Sequence, residues 1–430
     1  MKGLSLSFSV FAPVAVAAAF FTPIAAAEPE TAATCPRDGG LYSLLLPICP
    51  RAVSGNSARP KTPNPTDDAP AQPDPTAAAT AQSWDGPHGC VGAYCVFANP
   101  NFGNGGIVLV TTKGNAKRVK ALRPDTATTT NKGKNAKRPF RAQAIAGKGI
   151  GLVAKQPITR GELVMAETPA ILVHKLALEE PTDIYFPGLE LAVSKMTPAT
   201  RKTFMAQGTQ GDFQGAMGIM DRLFTNSFQM ALSGVGADNK AGFHYGNFPN
   251  VSKLNHDCRP NMVFHIDNNL VHRTHAVRDI QPGEELTISY VDQMDPARDR
   301  QARTRSSLGF VCGCAHCSLS AAEAAASEGR VQRIKKLERS LGRALEGVGL
   351  SSGEAKKKVA MVEELLSLYQ IERLESKISG AWTRAARIYE KAGEIELAKN
   401  FAALAAKGLE MEHGKSFPEI ESMKRLAHVS

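Results

Sequence analysis

From Pro139 onward the apolar positions fall into short runs. PFRAQAIAGKGIGLVAKQPITRGELVMAETPAILV breaks into strand-length pieces at its glycines and at the turn signal Thr159-Arg160-Gly161. Residues 191–235 change period: LAVSKMTPATRKTFMAQ and GAMGIMDRLFTNSFQMAL space their apolar positions near 3.6, which predicts two or three helices. Strand character returns in NMVFHIDNNLVHRTHAVRDIQPGEELTISYV, with a hairpin turn at Asp267-Asn268-Asn269 and a turn at Gln281-Pro282-Gly283 that opens a last strand, Glu285 to Val291. After Cys317 the pattern is helical throughout. Short strands bounded by turns, followed by helices, predict an α+β protein with small sheets and not a doubly wound α/β sheet.

Upstream of Pro139 the pattern weakens. Residues 1–27 carry one lysine, an uncharged apolar run and Ala25-Ala26-Ala27, the layout of a secretory signal peptide cleaved after Ala27. The run approaches a membrane span in length, so an uncleaved anchor is the alternative. Cleavage would leave no stable span. Residues 28–83, rich in Pro, Ala, Thr and Asp, lack the apolar content to offset ordering and read as disordered. Residues 84–112 form a small patch with two cysteines and the β-rich run Ile107 to Thr112. The net charge is +10, and ten Lys or Arg residues lie between Lys113 and Arg141 against the single acid Asp125. Residues 113–138 therefore read as a solvated basic linker, with a weak nucleic-acid or acidic-partner arm as the competing reading.

The C-terminal residues 321–430 read as a helical bundle packed on the preceding domain. Its last helix pair has small residues at packing positions, reminiscent of one tetratricopeptide unit.

Eight cysteines split evenly: Cys35, Cys49, Cys90 and Cys95 near the start, Cys258, Cys312, Cys314 and Cys317 in the second half. The first four suit two disulfides of unspecified pairing in an oxidising compartment, or free thiols in a reducing one. The strongest motif is FVCGCAHC. Its C-x-C-x2-C spacing supplies three thiolates to a tetrahedral zinc ion and requires a fourth ligand. His316 is sterically poor there, which points to Cys258, 54 residues before Cys312, inside NHDCRPN. Four thiolates make a structural site with no open position. The competing reading is a reactive dithiol. Two weaker motifs are GEELTISY, a strand ending at Tyr290, and the glycine turn AGKGIG, which lacks the strand–helix context of a phosphate loop.

In this order NHDCRPN, GEELTISY and FVCGCAHC resemble the SET-domain protein-lysine methyltransferases, and within them the SET-and-MYND-like branch and its fungal relatives, without the MYND zinc module. The resemblance implies a SET domain over 139–292 with a helical insertion at about 175–250, and a post-SET zinc segment over 293–320. It implies an S-adenosylmethionine-dependent enzyme that methylates a lysine of a histone or non-histone protein, working as a monomer. Tyr290 becomes the catalytic residue. Lys148, Gly149, Asn226, Asn255, His256, Tyr290 and Phe310 become cofactor contacts, and Cys258, Cys312, Cys314 and Cys317 hold one structural zinc. Leu308 stands where the family often carries an aromatic residue.

The residue types suit that chemistry. In-line methyl transfer needs alignment, exclusion of water and a neutral amine, but no strong acid. The leader favours the secretory pathway or the exterior, with nucleus or cytoplasm as the alternative if it is not used. It also sustains a second reading, a secreted SET-fold binding protein without turnover.

Overall fold

The computed structural model describes residues 84–127, 138–180, 182–232, 243–346 and 352–428. The expected signal peptide, the Pro/Ala-rich segment, Cys35 and Cys49 lie outside the described residues, as do positions 128–137 of the basic stretch.

The first half is built from β1 (Asp85–Val91), β2 (Tyr94–Asn99), β3 (Ile107–Thr112), α1 (Lys113–Ala121), β4 (Phe140–Ile145), β5 (Gly149–Ala154), β6 (Leu163–Glu167) and β7 (Ile171–His174). Three helices follow, α2 (Thr182–Ser194), α3 (Pro198–Met205) and α4 (Gly215–Asn226); α2 starts nine residues before the expected helical stretch, and Ser227–Ala231, expected to be helical, is a strand. Next come β8 (Ser227–Ala231), β9 (Phe243–Asn247), β10 (Asn255–His256), β11 (Met262–Ile266), β12 (His272–Ala276) and β13 (Glu285–Ile288). The chain ends in α5 (Ala297–Leu308), α6 (Ala321–Glu346), α7 (Ser352–Ile371), α8 (Ser379–Ala392), α9 (Ile395–His413) and α10 (Pro418–Ala427).

Among the described residues these strands form three small sheets, in the orders β1-β2-β3-β7-β9-β8, β10-β13-β5-β4 and β11-β12-β6. In the first, β3 and β7 pair in parallel at its centre, Leu109 opposite Leu172. Both are almost continuously apolar because both faces of the sheet are covered. Val108 and Val110 face a core shared with Leu189 of α2 and Leu223 of α4, whereas Ile107 and Leu109 face a second core with Leu172 and Phe248.

Two expectations need correction. Residues 84–112, expected as a small patch docked on the main domain, are integral to it: β3 hydrogen-bonds to β7, so this segment supplies half of the six-stranded sheet. Nor are residues 113–138 one solvated linker, because Lys113–Ala121 is a helix. Thr112 caps it by accepting from the Asn115 amide, and Asn115, Ala116 and Val119 are buried. The basic run hid this short inward stripe. Lys117 and Arg118 stay exposed, while Lys120 lies 4.9 Å from the Phe97 ring and 5.7 Å from that of Trp84.

The C-terminal helices share one core containing Leu337, Leu365, Trp382, Ala385, Ala402 and Ile420. Gly408 of α9 is where α8 comes closest: a Cβ there would lie 2.9 Å from Ser379 Cβ and 3.1 Å from the Trp382 ring. The small residues anticipated at packing positions are therefore needed for this helix–helix approach. The end of α9 touches β11, where the His265 ring meets the Met411 carbonyl at 2.9 Å.

Candidate active site and four-cysteine cluster

The site forms around the four-stranded sheet. Within NHDCRPN, Asn255 and His256 form the two-residue strand β10, parallel to β13 with Asn255 opposite Thr287 and His256 opposite Ile288. On the other side of β13, Glu285 pairs with Val153 of β5. This brings three distant segments together. Glu285 accepts from Asn255 Nδ2 at 2.8 Å on one carboxylate oxygen and from Lys148 Nζ at 2.8 Å on the other. Gly151 leaves room for the contact: a Cβ there would sit 2.8 Å from both Asn255 Nδ2 and Glu285 Oε1. Gly149 at the start of β5 has φ +73°, and nothing lies within 4 Å of where its Cβ would be. The turn bearing Lys148 and Gly149 thus presents open backbone beside Asn255.

Strand β13 stops at Ile288, two residues before Tyr290. The Tyr290 amide donates to His256 Nδ1 at 3.0 Å, and its hydroxyl donates to the Leu254 carbonyl at 2.6 Å. Accepting that amide proton leaves the ring proton of neutral His256 on Nε2, which lies 3.3 Å from Cys258 Sγ. Burial pushes the His256 pKa down to about 4, so the ring is neutral. Burial, reinforced by the Glu285 charge, pushes the Tyr290 phenol up, so it stays protonated.

Phe310 completes the group. Helix α5 ends at Gly309 with φ +74°, and the Phe310 amide returns to the Thr304 carbonyl at 3.1 Å. That reversal brings the Phe310 ring centroid 5.9 Å from His256 and 6.3 Å from Tyr290, the latter edge-on. Phe310 and Leu308 also pack against the sulfur cluster, so the aromatic group and the cysteines share a wall.

The Sγ atoms of Cys258, Cys312, Cys314 and Cys317 lie within 4.8 Å of one another, and those of Cys258 and Cys317 are 3.5 Å apart. Tetrahedral zinc with bonds of about 2.3 Å separates its sulfurs by about 3.8 Å, so the donor set fits such an ion. The fit extends to Arg300, a cation buried near these sulfurs without a carboxylate partner among the described residues.

Of the residues expected at the site, Lys148, Gly149, Asn255, His256, Tyr290 and Phe310 come together, and all four cysteines cluster. Asn226, at the end of α4, is tied by its amide nitrogen to the carbonyls of Gly208 (2.8 Å) and Arg222 (3.0 Å), and no hydrogen bond joins it to this group. Three supporting residues escaped the sequence reading. One is Glu285. Another is Asn261, which donates to the Glu285 carbonyl at 2.8 Å and accepts from the Thr287 amide at 2.9 Å. The third is Gln301, whose amide bonds both the carbonyl and the N–H of Cys312. Asn261 and Glu285 sit inside the quoted motifs, which was their only signal.

A family model described as SET domain matches residues 149–291. The chain carries a SET domain. The match opens at β5 and closes beyond Tyr290, so it encloses Asn255, His256, Cys258 and Tyr290. The chain is similar to histone-lysine N-methyltransferase set5 of Schizosaccharomyces pombe, at 30% identity over 206 residues, 46% of this chain and 54% of that protein. Human N-lysine methyltransferase SMYD2 is 35% identical over 100 residues, 23% of each chain. A putative SET domain-containing protein L678 of Acanthamoeba polyphaga mimivirus is 28% identical over 193 residues, 75% of its length. The chain spans about half the length of the fission-yeast relative and less of the human one.

Proposed function

We propose that this protein is an S-adenosylmethionine-dependent protein-lysine N-methyltransferase with one structural zinc at Cys258, Cys312, Cys314 and Cys317. The observation that carries the reading is the convergence of Asn255, His256, Tyr290 and Phe310 from three segments beside the open turn of Lys148 and Gly149. The relatives named histone-lysine and N-lysine methyltransferases support the same chemistry.

Bound S-adenosylmethionine would supply a methyl group on a positively charged sulfur. The chain's own residues supply placement. Lys148, with Asn255 and the Gly149 backbone, would hold the cofactor's polar end, with Glu285 setting the positions of Lys148 and Asn255. The Tyr290 hydroxyl, its proton committed to the Leu254 carbonyl, turns an oxygen lone pair toward an incoming amine. The Tyr290 and Phe310 rings exclude water from a lysine side chain and favour its neutral, nucleophilic form. The cysteine cluster holds the Phe310 wall.

Incubating the full chain with methyl-labelled cofactor, core histones and a protein extract tests the proposal. Labelling is expected with the wild type, and Tyr290→Phe is expected to reduce it by about 100-fold or more, with zinc content unchanged and melting lowered only by the loss of one hydrogen bond to the Leu254 carbonyl. A wild type that holds one zinc and labels nothing overturns the enzyme.

That outcome would favour the second reading, a secreted SET-fold binding protein without turnover. The bond between Cys90 and Cys95 favours it, since it calls for an oxidising compartment. For location we propose the secretory pathway or the exterior, supported by the leader-like start and by this bond. Thiol labelling of the protein from its native source would overturn that location if Cys90 and Cys95 were both free.

A further inference from the structure

Two arginines are buried near the cysteine cluster, and they are held differently. Arg259 is fully committed: it pairs with Glu372 at 3.0 Å and donates to the carbonyls of Cys258, Gln293 and Glu372. Arg300 of α5 is 2% exposed and has only the Asp295 carbonyl as an oxygen acceptor, through Nη1. Its Nε and Nη2 find no hydrogen-bond partner, sulfur included, and it forms no ion pair with a carboxylate among the described residues. The guanidinium lies near Cys258 and Cys317, on the helix whose Gln301 bonds the backbone of Cys312.

A guanidinium withdrawn from water without an anion is among the costliest arrangements a fold can contain. Four neutral thiols do not relieve it. Four thiolates around a divalent ion carry a net charge of −2, and sulfur then becomes a good acceptor for N–H donors. Cys258 Sγ also lies 3.3 Å from His256 Nε2, a neutral donor, so Arg300 brings the charge. The coupling is reciprocal: whatever the loaded cluster contributes to burying Arg300, Arg300 contributes to retention of the metal.

We propose that Arg300 is the charge partner of the four-cysteine metal site, turning Nε–H and Nη2–H toward the Cys258 and Cys317 thiolates and thereby holding the ion in place. This rests on the zinc reading above. It makes Arg300 a positioning residue, with no contact to substrate.

The test is zinc affinity of the full chain, measured by competition with a chromogenic chelator, for wild type, Arg300→Met, Arg300→Lys and Arg298→Met. Arg298 lies on the same helix with its side chain 88% exposed and serves as the control. Arg300→Met is expected to weaken zinc binding by about 10- to 100-fold, the range for lost outer partners of metal ligands. Arg300→Lys should recover at least half of that loss on a logarithmic scale, and Arg298→Met should match the wild type. Wild-type affinity in Arg300→Met overturns the inference. So does an Arg300→Lys as weak as Arg300→Met, which would make the role one of packing. If Arg300→Met does not fold, Arg300→Gln replaces it: a donor without charge must bind zinc more weakly than Arg300→Lys, and equal affinity overturns the inference. A wild type without stoichiometric zinc overturns the metal reading together with this inference, a result distinct from a zinc-loaded wild type matched by its variants.

Discussion

Glu285 shows how one side chain sets the geometry of a site it need not enter. Its two oxygens hold Lys148 and Asn255, which reach the sheet from positions 137 and 30 residues away in sequence. Both contacts are hydrogen bonds to a charged acceptor, the stronger class, although partial exposure of Lys148 screens its share. Glu285→Gln keeps the shape and one acceptor but removes the charge. It is expected to weaken S-adenosylmethionine binding by about tenfold, read by titration calorimetry, with little change in melting temperature. Unchanged affinity would show that Lys148 and Asn255 hold their places without it. The resemblance of GEELTISY to the family motif pointed to Tyr290, but period-2 alternation does not say which neighbour a carboxylate will meet. Motif likeness alone placed Asn226 at the cofactor; in the fold its amide nitrogen is engaged by the turn at Gly208 and by its own helix.

At the scale of elements, the loop that carries Cys258 is fastened to the C-terminal helices through a buried polar network. Glu372, just past the end of α7 and 3% exposed, receives Arg259 from the loop and both Ser327 and Arg330 (each at 2.6 Å) from α6. Burial pushes its carboxyl up, but the hydrogen bonds from Ser327, Arg330 and Arg259 outweigh that and hold it below the usual range. Its contribution to stability is thus present above the unfolded value of about 4.3 and is lost as pH falls through the lowered folded value. Glu372→Leu leaves Arg259 buried without an acid and is expected to cost about 3–5 kcal/mol in urea unfolding. Adding Arg259→Met should restore much of the loss, because a matched apolar pair replaces a buried charge pair at little cost. A double variant no more stable than Glu372→Leu would contradict that account.

Across the whole molecule, the seam between α9 and the β11–β12 hairpin is rich in histidine. His272 is fully buried, stacked on Phe264 at 4.5 Å with Phe228 and Phe248 at its edges. His265 and His275 stack at 5.8 Å, and His413 packs on Phe417 at 4.3 Å. Burial pushes His272 and His275 down to about 3 and lowers His265 and His413 as well. The His272 and His275 rings are neutral when folded but take up protons at about pH 6.5 once unfolded. Stability is therefore complete above that value and falls as pH drops toward 3, by up to about 1.4 kcal/mol per pH unit for each such ring. Unfolding midpoints in urea should drop markedly between about pH 7 and about pH 5, and His272→Phe should flatten the slope. A variant with the wild-type slope would remove His272 from the account.

Local chemistry was settled in the sequence. Three thiolates within six residues require a shared ion or a shared bond, glycines break strands, and a 3.6 period marks helices, so the α+β class, the insertion helices and the cysteine set were all legible there. Assembly across distance was not. The pairing of β3 with β7, the folding of α1 from a basic run, the Glu285 clamp and the burial of Arg300 and Glu372 depend on which surfaces meet. A one-dimensional pattern records how apolar a residue is, but the partner that makes a buried charge tolerable exists only once the chain has folded around it.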